Sequence, residues 1–499
     1  MRRGSKQENL TPPPSLRRRG AINEFRPIAP FCLGVRYRLI ATLEAVRESE
    51  MQLLRRYRRE AFMGGAVVLL LVALVVFTAP GNKPVTTTQT NPAQILGAGN
   101  RTAPGAAAGE SVTDTQISVY QDKLRKAGDT KTYASLGLAY LQKAREVSDP
   151  TYYSKAEGVF KKALELDANN VEALGGMGSL SLSRHQFAQG LEWGQKAQKL
   201  RQQTSYNYGV MADALNELGR YDEAAQVVQQ MVDLRPDISS YARVSYVREL
   251  RGQYDGATEA MRQAITASGP AGENRAWVTY QLGMLYFSHN QLDKAEATFQ
   301  EAMLTLPNYV YAEAGLARIK AARGDLGGAT QLYTQVVQRF PLSEFLIELG
   351  DIYTTSGRAD DAKRQYELVR GIQRIYKENG VNTDLEMALF DVDHNYNLPD
   401  ALNRARQEYQ ARPSVKAADI LAWSLYKTGD YNAAAEYSQQ ALRLGTQDGL
   451  TFFHAGMIAN KRGQTTEARE YLQKTIALNP SFSFLYAAEA RQALDSLGN

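Results

Sequence analysis

A small residue returns along this chain at nearly constant intervals. It is alanine at nine positions and glycine at one, and seven of the nine successive intervals are 33 or 34 residues. A fixed period of this size indicates a repeat protein in which paired helices stack side by side. The ten aligned positions are Ala156, Gly190, Ala224, Ala257, Ala295, Ala329, Ala362, Ala401, Ala434 and Ala468.

A second small residue lies twelve positions before the aligned residue in eight of the ten repeats. Leu389 takes this place in the eighth repeat, and Gly137 is its displaced equivalent in the first. Packed helices whose axes approach to about 8–10 Å need small side chains where they touch. The two small positions therefore predict the contact point between helix A and helix B of each repeat. The eight residues are Gly178, Ala212, Ser245, Gly283, Ala317, Gly350, Ala422 and Gly456.

Glycine and proline mark the ends of the predicted helices. Glycine tolerates the positive φ with which helices commonly end, so a glycine five residues before the aligned position predicts the turn after helix A. Proline cannot continue a helix, so a proline twelve residues after the aligned position predicts the end of helix B. The glycines are Gly219, Gly252, Gly324, Gly357, Gly429 and Gly463, and the prolines are Pro236, Pro307, Pro341, Pro413 and Pro480.

The fifth repeat carries these features in one stretch, Leu282-Gly283-x-x-Tyr286 followed by Ala295-x-x-x-Phe299-x-x-Ala302 and Pro307. This stretch resembles the consensus of the tetratricopeptide repeat (TPR) family, and the resemblance extends from Thr130 to Pro480. It implies an all-α fold, a right-handed α-solenoid of about ten helix-turn-helix repeats.

Positive charge is concentrated at the start of the chain. Residues 1–60 hold fourteen Lys or Arg against six Glu, a net charge of +8, whereas the whole chain carries +5. The repeats thus lack the positive excess that nucleic-acid binding requires. We interpret residues 1–60 as a basic arm, in which 36–60 form either an amphipathic helix on anionic lipid or a solvated connector. Met51 is an alternative start to Met1.

Residues 61–79 contain no charged side chain. Nineteen helical residues span roughly 28 Å, close to the hydrocarbon thickness of a bilayer, so we predict a transmembrane helix that acts as an uncleaved signal anchor. Arg55, Arg56, Arg58 and Arg59 precede it, and positive flanks remain in the cytoplasm. The repeats would then lie outside the cytoplasm, on a plasma or inner membrane.

The remaining segments complete the predicted organisation. Residues 80–115, rich in Thr, Gly, Ala, Asn and Pro, form a flexible linker, and 116–499 form the solenoid. A short helix from about Thr115 to Lys126 would cover the first repeat, and one over 481–498 would cap the last. Longer connections at 140–156, 266–275 and 371–384 are hinges, binding loops or tolerated surface insertions.

No enzyme signature emerges from the repeats. There is no Gly-rich phosphate loop and no G-x-S-x-G nucleophile motif, and the single cysteine, Cys32, lies in the basic arm. Asp391, Asp393 and His394 form a local cluster that would suit a divalent metal or hydrolytic chemistry, although a helix end explains the same residues. We therefore predict no catalytic residue, no metal site and no cofactor.

Some TPR domains hold a partner's C-terminal carboxylate with Lys and Asn on successive A helices. The corresponding positions here are Ala134, Leu138, Gly175 and Ser179, so this clamp is absent.

The family resemblance also implies which residues face the concave groove, namely four positions on each A helix. Aromatic side chains at these positions cluster around the fifth and ninth repeats, and aromatic rings often anchor binding partners. The alternative is that the rings pack between neighbouring repeats. The candidate partner-binding residues are Trp277, Tyr280, Phe287, Tyr311, Trp423, Tyr426 and Phe453.

The sequence thus favours a non-enzymatic, membrane-anchored TPR scaffold that binds a protein or peptide partner in its concave groove, in the assembly of an envelope complex. A cytosolic-facing adaptor docked to the membrane is the first alternative. The second is the substrate-binding part of an envelope enzyme with its chemistry at Asp391–His394.

Overall fold

The computed structural model describes residues 112–269 and 272–498. Within these ranges the chain forms twenty-two α-helices and no β-strand. The predicted all-helical repeat fold is therefore confirmed. The helices are α1 (Val112–Lys126), α2 (Thr130–Val147), α3 (Thr151–Leu166), α4 (Val171–Ser183), α5 (Phe187–Leu200), α6 (Ser205–Glu217), α7 (Tyr221–Leu234), α8 (Ile238–Leu250), α9 (Tyr254–Ala267), α10 (Glu273–Ser288), α11 (Leu292–Thr305), α12 (Val310–Ala322), α13 (Leu326–Arg339), α14 (Ser343–Thr355), α15 (Ala359–Glu378), α16 (Asp384–Asp393), α17 (Leu398–Ala411), α18 (Val415–Thr428), α19 (Tyr431–Leu442), α20 (Gly449–Lys461), α21 (Thr465–Leu478) and α22 (Ala487–Ser496).

Helices α2 to α21 form ten consecutive pairs, and each even-numbered helix is the A helix of its repeat. The nine aligned alanines lie on the B helices and are buried. In the fourth repeat the Ser245 hydroxyl donates a 2.8 Å hydrogen bond to the Ala257 carbonyl, which joins the two small positions directly. In the second repeat, a Cβ built on Gly178 would lie 3.4 Å from the Gly190 carbonyl oxygen. The predicted contact point between helices A and B is confirmed.

The predicted helix ends are also observed. All six turn glycines have positive φ, and where the second and fifth repeats lack glycine, His185 and Asn290 adopt φ values of 58° and 54°. The five prolines each lie two residues beyond the last residue of a B helix. Local chemistry therefore ends the helices as the repeat pattern predicts.

Two connections and the capping helix differ from the sequence-based expectation. The extra residues near 371–384 extend α15 to twenty residues, with Gly371 buried inside the helix, and those of the first repeat lengthen α2 to eighteen. The predicted capping helix over 481–498 begins only at Ala487. Residues before it bend instead, because the Asn479 side chain accepts a hydrogen bond from the Ser481 amide.

Helix α1 covers the first repeat at nearly the predicted place. Its Ile117, Tyr120 and Leu124 pack against the core formed by α2 to α4. Because α1 begins at Val112, the last four residues assigned to the linker belong to this helix.

The predicted basic arm 1–60, transmembrane helix 61–79 and linker residues 80–111 lie outside the described residues. Within 112–269 and 272–498, no helix combines the length and the apolar character that crossing a bilayer requires.

Candidate partner-binding groove

The solenoid returns onto itself, and successive turns touch along a seam. Hydrogen bonds cross this seam at four places, between residues 192 to 196 positions apart in the chain. In every case, the turn between helices A and B of one repeat contacts the connection at the end of the repeat five further along the chain. The Gln186 side chain donates to the Gly380 carbonyl, and the Val415 backbone amide donates to the Tyr221 hydroxyl. The Thr446 hydroxyl donates to the Leu250 carbonyl, and the Asn479 side chain donates to the Phe287 carbonyl.

A buried ion pair reinforces the middle of the seam. The Arg412 guanidinium, after α17, donates hydrogen bonds of 3.0 Å to Glu217 on α6 and 2.7 Å to Glu408. Burial alone would lower the pKa of Arg412, but Glu386, Glu217 and Glu408 raise it. Breaking a buried pair on one side leaves an uncompensated charge, so this contact resists opening of the seam.

The seam closes part of the concave face into a cavity of about 450 Å³. Its wall comes from the A helices α6, α8, α10, α12 and α14 on one side and from α18, α20 and their connections on the other. This volume falls in the range of about 300–1,000 Å³ that is typical of ligand sites. Residues that form the wall include Asn216, Tyr246, Met284, Phe287, Arg318, Lys416, Asp419 and Leu450.

A buried amide in the wall, that of Asn216, has no partner within the described structure. Asn216 is 3% exposed, and neither its amide nitrogen nor its amide oxygen makes a hydrogen bond. A buried unsatisfied amide is costly and usually indicates a bound water or ligand. Both polar atoms of the Asn216 amide are themselves buried, so this unpartnered amide lies behind the cavity surface.

The aromatic residues predicted around the fifth repeat pack between helices. Tyr280 is 1% exposed; its ring lies 5.6 Å from that of Tyr311, and its hydroxyl accepts a 3.1 Å hydrogen bond from Arg318. Trp277 is also buried. Phe287, 8% exposed, is the member of this cluster that lines the cavity.

The cluster around the ninth repeat is packed as well. Trp423 is 1% exposed and stacks on Tyr426 and His454 at centroid distances of 4.6 and 4.2 Å. Its indole nitrogen donates a 2.9 Å hydrogen bond to Asp393, and Phe453 is fully buried beside it. These rings pack between helices and do not line the cavity, and partner binding by these residues stays a prediction.

The three side chains of the Asp391–His394 cluster point to different partners. Asp391 accepts hydrogen bonds from Arg370 and Arg404, whereas Asp393 accepts them from Trp423 and Tyr486. His394 Nε2 lies 2.9 Å from Asp351. Among the described residues, no three His, Cys, Asp or Glu side chains converge as a metal site would require. The cluster ties α16 to its neighbours.

Known proteins resemble this chain in its repeats. The family model described as tetratricopeptide repeat matches residues 420–482, which span most of α18 through α21 and the start of the bend after it. These residues therefore carry tetratricopeptide repeats.

Two curated relatives share 24% identity with this chain. One is cellulose synthase 1 operon protein C of Komagataeibacter xylinus, matched over 56% of this chain and 19% of the relative. The other is a TPR repeat-containing protein of Methanocaldococcus jannaschii, matched over 51% of this chain and 39% of the relative. The chain therefore spans less than half the length of these relatives.

Solved TPR structures resemble the chain at low identity. The human IFIT1 dimer with PPP-AAAA aligns at 16% identity and a TM-score of 0.43, covering 66% of this chain and 78% of that one. The Cut9–Hcn1 hetero-tetramer aligns at 13% identity and a TM-score of 0.35, covering 78% and 97%.

Sequence reasoning missed the seam and the residues it brings to the cavity. Asn216 and Glu217 occupy the end of an A helix, at and next to a concave position of the TPR repeat, so their position carried a signal. Arg412, Val415 and Thr446 lie in or beside connections between repeats, where the periodic pattern contains no information about contacts.

Proposed function

We propose that this chain is a non-enzymatic, membrane-anchored TPR scaffold that binds a protein or peptide partner inside its superhelix and helps to assemble an envelope complex. The observation that carries the proposal is the cavity enclosed by the seam. It combines an apolar wall at Met284, Phe287 and Leu450 with an unpartnered amide at Asn216. TPR proteins are generally scaffolds that bind protein partners, so the family supports this function.

Membrane anchoring and orientation rest on the sequence. The uncharged segment 61–79 and the arginines before it support an N-terminus in the cytoplasm and a repeat domain outside it. Protease added to intact spheroplasts should degrade the repeats, and they should be protected if the domain faces the cytosol.

The partner can be identified by a photo-crosslinking amino acid placed at Phe287 or, separately, at Leu450 in the full chain. These positions lie on opposite walls of the cavity, contributed by α10 and α20. A partner held in the cavity should give the same cross-linked protein from both positions.

Leu304, on α11 of the fifth repeat, is the matched control because its side chain is 85% exposed. A crosslinker there should not capture the same protein. Equal capture from Leu304, or different proteins from Phe287 and Leu450, would contradict binding inside the superhelix.

A further inference from the structure

Carboxylates outnumber cationic side chains in the cavity wall. Six acidic residues line it, against two basic ones, Arg318 and Lys416. Arg318 is already paired with Glu348 at 2.6 Å, and Asp419 accepts from His454 at 3.1 Å. The acidic residues are Glu217, Glu249, Glu344, Glu348, Asp419 and Asp448.

The layer behind the wall does not compensate this negative charge. Arg412 pairs with Glu217, but Glu408 also binds Arg412 and Glu386 lies nearby. Burial alone would raise the pKa of Glu386, yet His185, Arg412 and Lys416 hold it below its usual value. Neither carboxylate oxygen of Glu386 accepts a hydrogen bond within the described structure.

Apolar side chains in the wall specify more than a cation. Met284, Phe287, Ile420 and Leu450 also line the cavity. A free metal ion or a small amine would use the charge and leave this apolar surface without contacts.

Taking the proposed partner-binding function as the starting point, we propose that the occupant of the cavity is an extended peptide segment of a separate protein that carries Lys or Arg at its centre. The basic side chain lies among the wall carboxylates, where the low dielectric of the enclosed site strengthens the attraction. Apolar residues on either side of the basic one pack on Phe287 and Leu450.

The same charge disfavours the other macromolecules that solenoids bind. Phosphate groups of a nucleic acid and the carboxylate of a C-terminal tail would both meet like charge in the wall, and juxtaposed like charges disfavour binding. A basic peptide is the class of ligand that the wall complements.

The test is to pan a randomised decapeptide library, displayed on phage, against the full chain in detergent. Enriched peptides should contain Lys or Arg near their centre. Replacing that residue by norleucine in a fluorescent synthetic peptide should weaken binding by about tenfold or more, because a hydrogen-bonded charge is lost. Raising salt from about 50 to about 500 mM should weaken binding of the basic peptide more than of the norleucine peptide.

Two variants locate the cation. Glu249→Gln and Asp419→Asn each remove a carboxylate from opposite walls while keeping the side-chain shape, and each should weaken the basic peptide several-fold. Glu259→Gln on the neighbouring α9 is the matched control, because Glu259 is exposed and outside the wall. Circular dichroism must show unchanged helical content in all three.

The outcomes separate this inference from the proposed function. Enriched peptides that are neutral or acidic, or basic peptides unaffected by Glu249→Gln and Asp419→Asn, would overturn the cationic occupant and leave peptide binding intact. A cross-link from position 287 to the chain's own residues 1–60 would overturn the choice of a separate protein. Binding of a single-stranded RNA oligonucleotide in place of any peptide, or no enrichment at all, would contradict both.

Discussion

Gly283 and Phe299 show how closely the two helices of one repeat approach. A Cβ built on Gly283 would lie 2.5 Å from the Phe299 ring, which is fully buried. The ring has little room to retreat because the Tyr280 ring lies 5.7 Å away. The small residue at this position is therefore required by packing between helices.

Gly283→Ala should destabilise the protein by about 1–3 kcal/mol, because an added methyl group overpacks a filled site. Gly158→Ala is the control: Gly158 lies on α3, and a Cβ added there would have nothing within 4 Å, so alanine should be neutral or stabilise the helix by about 0.5–1 kcal/mol. Thermal unfolding followed by circular dichroism measures both. Similar midpoints for the two variants would contradict this account.

Trp423 gives a second prediction at the residue scale. Because the ring is buried against Tyr426 and His454 and bonded to Asp393, Trp423→Ala should cost about 3–5 kcal/mol. An effect on partner binding by this variant must therefore be separated from loss of structure. A variant with wild-type thermal stability would show that packing of the Trp423 ring contributes less to the free energy of unfolding than its burial indicates.

At the scale of elements, α15 and α16 show how an irregular repeat is secured. The extension of α15 brings the chain to Asn382. The backbone N–H of Asn382 donates a 3.0 Å hydrogen bond to the Arg184 carbonyl across the seam. The shortened α16 ends at Asp393, and the imidazole of the next residue, His394, lies against Asp351 of α14 and Tyr366 of α15. Because α16 has only ten residues, side-chain contacts at its end replace part of the packing that a longer A helix would supply.

The His394–Asp351 contact predicts a pH dependence of stability. Burial alone would lower the pKa of His394, but the hydrogen bond and charge of Asp351 raise it above its usual value. Protonation therefore favours the folded state: the stabilisation is fully present below about pH 6.5 and is lost as pH rises through the folded-state pKa.

The thermal midpoint of the wild type should fall between about pH 6 and pH 8 by more than that of His394→Gln. Glutamine keeps a hydrogen-bonding side chain but does not titrate. Parallel pH profiles of the two proteins would indicate that folding does not raise the pKa of His394.

At the scale of the described solenoid, the seam makes distant repeats interdependent. An open solenoid is stabilised by neighbouring repeats alone. Here Gly252, with φ of 67°, packs so closely that an added Cβ would lie 2.3 Å from the Gly445 carbonyl oxygen. Opening of the seam would therefore be coupled to loss of the cavity.

Gly252→Ala and Gly357→Ala should separate the backbone cost from the seam contact. Both residues have positive φ, so each alanine costs about 1–2 kcal/mol, but a Cβ added to Gly357 would enter open space. Only Gly252→Ala should also enlarge the radius of gyration in small-angle X-ray scattering and speed amide exchange near Leu250. Equal radii for the two variants would argue against a closed seam.

The sequence by itself determined the local repeat. Its features involve residues within one repeat: the contact of Ser245 with Ala257, the turn at Gly252 and the helix end before Pro236. The period recurs through ten repeats. Such features follow from backbone geometry and side-chain size, which act over one or two helical pairs.

The tertiary structure decided what the concave face offers. The curvature of the solenoid is the sum of small rotations between repeats, so it cannot be predicted from any single sequence position. The accumulated rotation places Tyr221 beside Val415 and buries Trp423 and Tyr280 between helices, while Asn216 and Phe287 line the cavity. The sequence thus determined where a partner surface forms, and the closure of the solenoid determined which side chains line it.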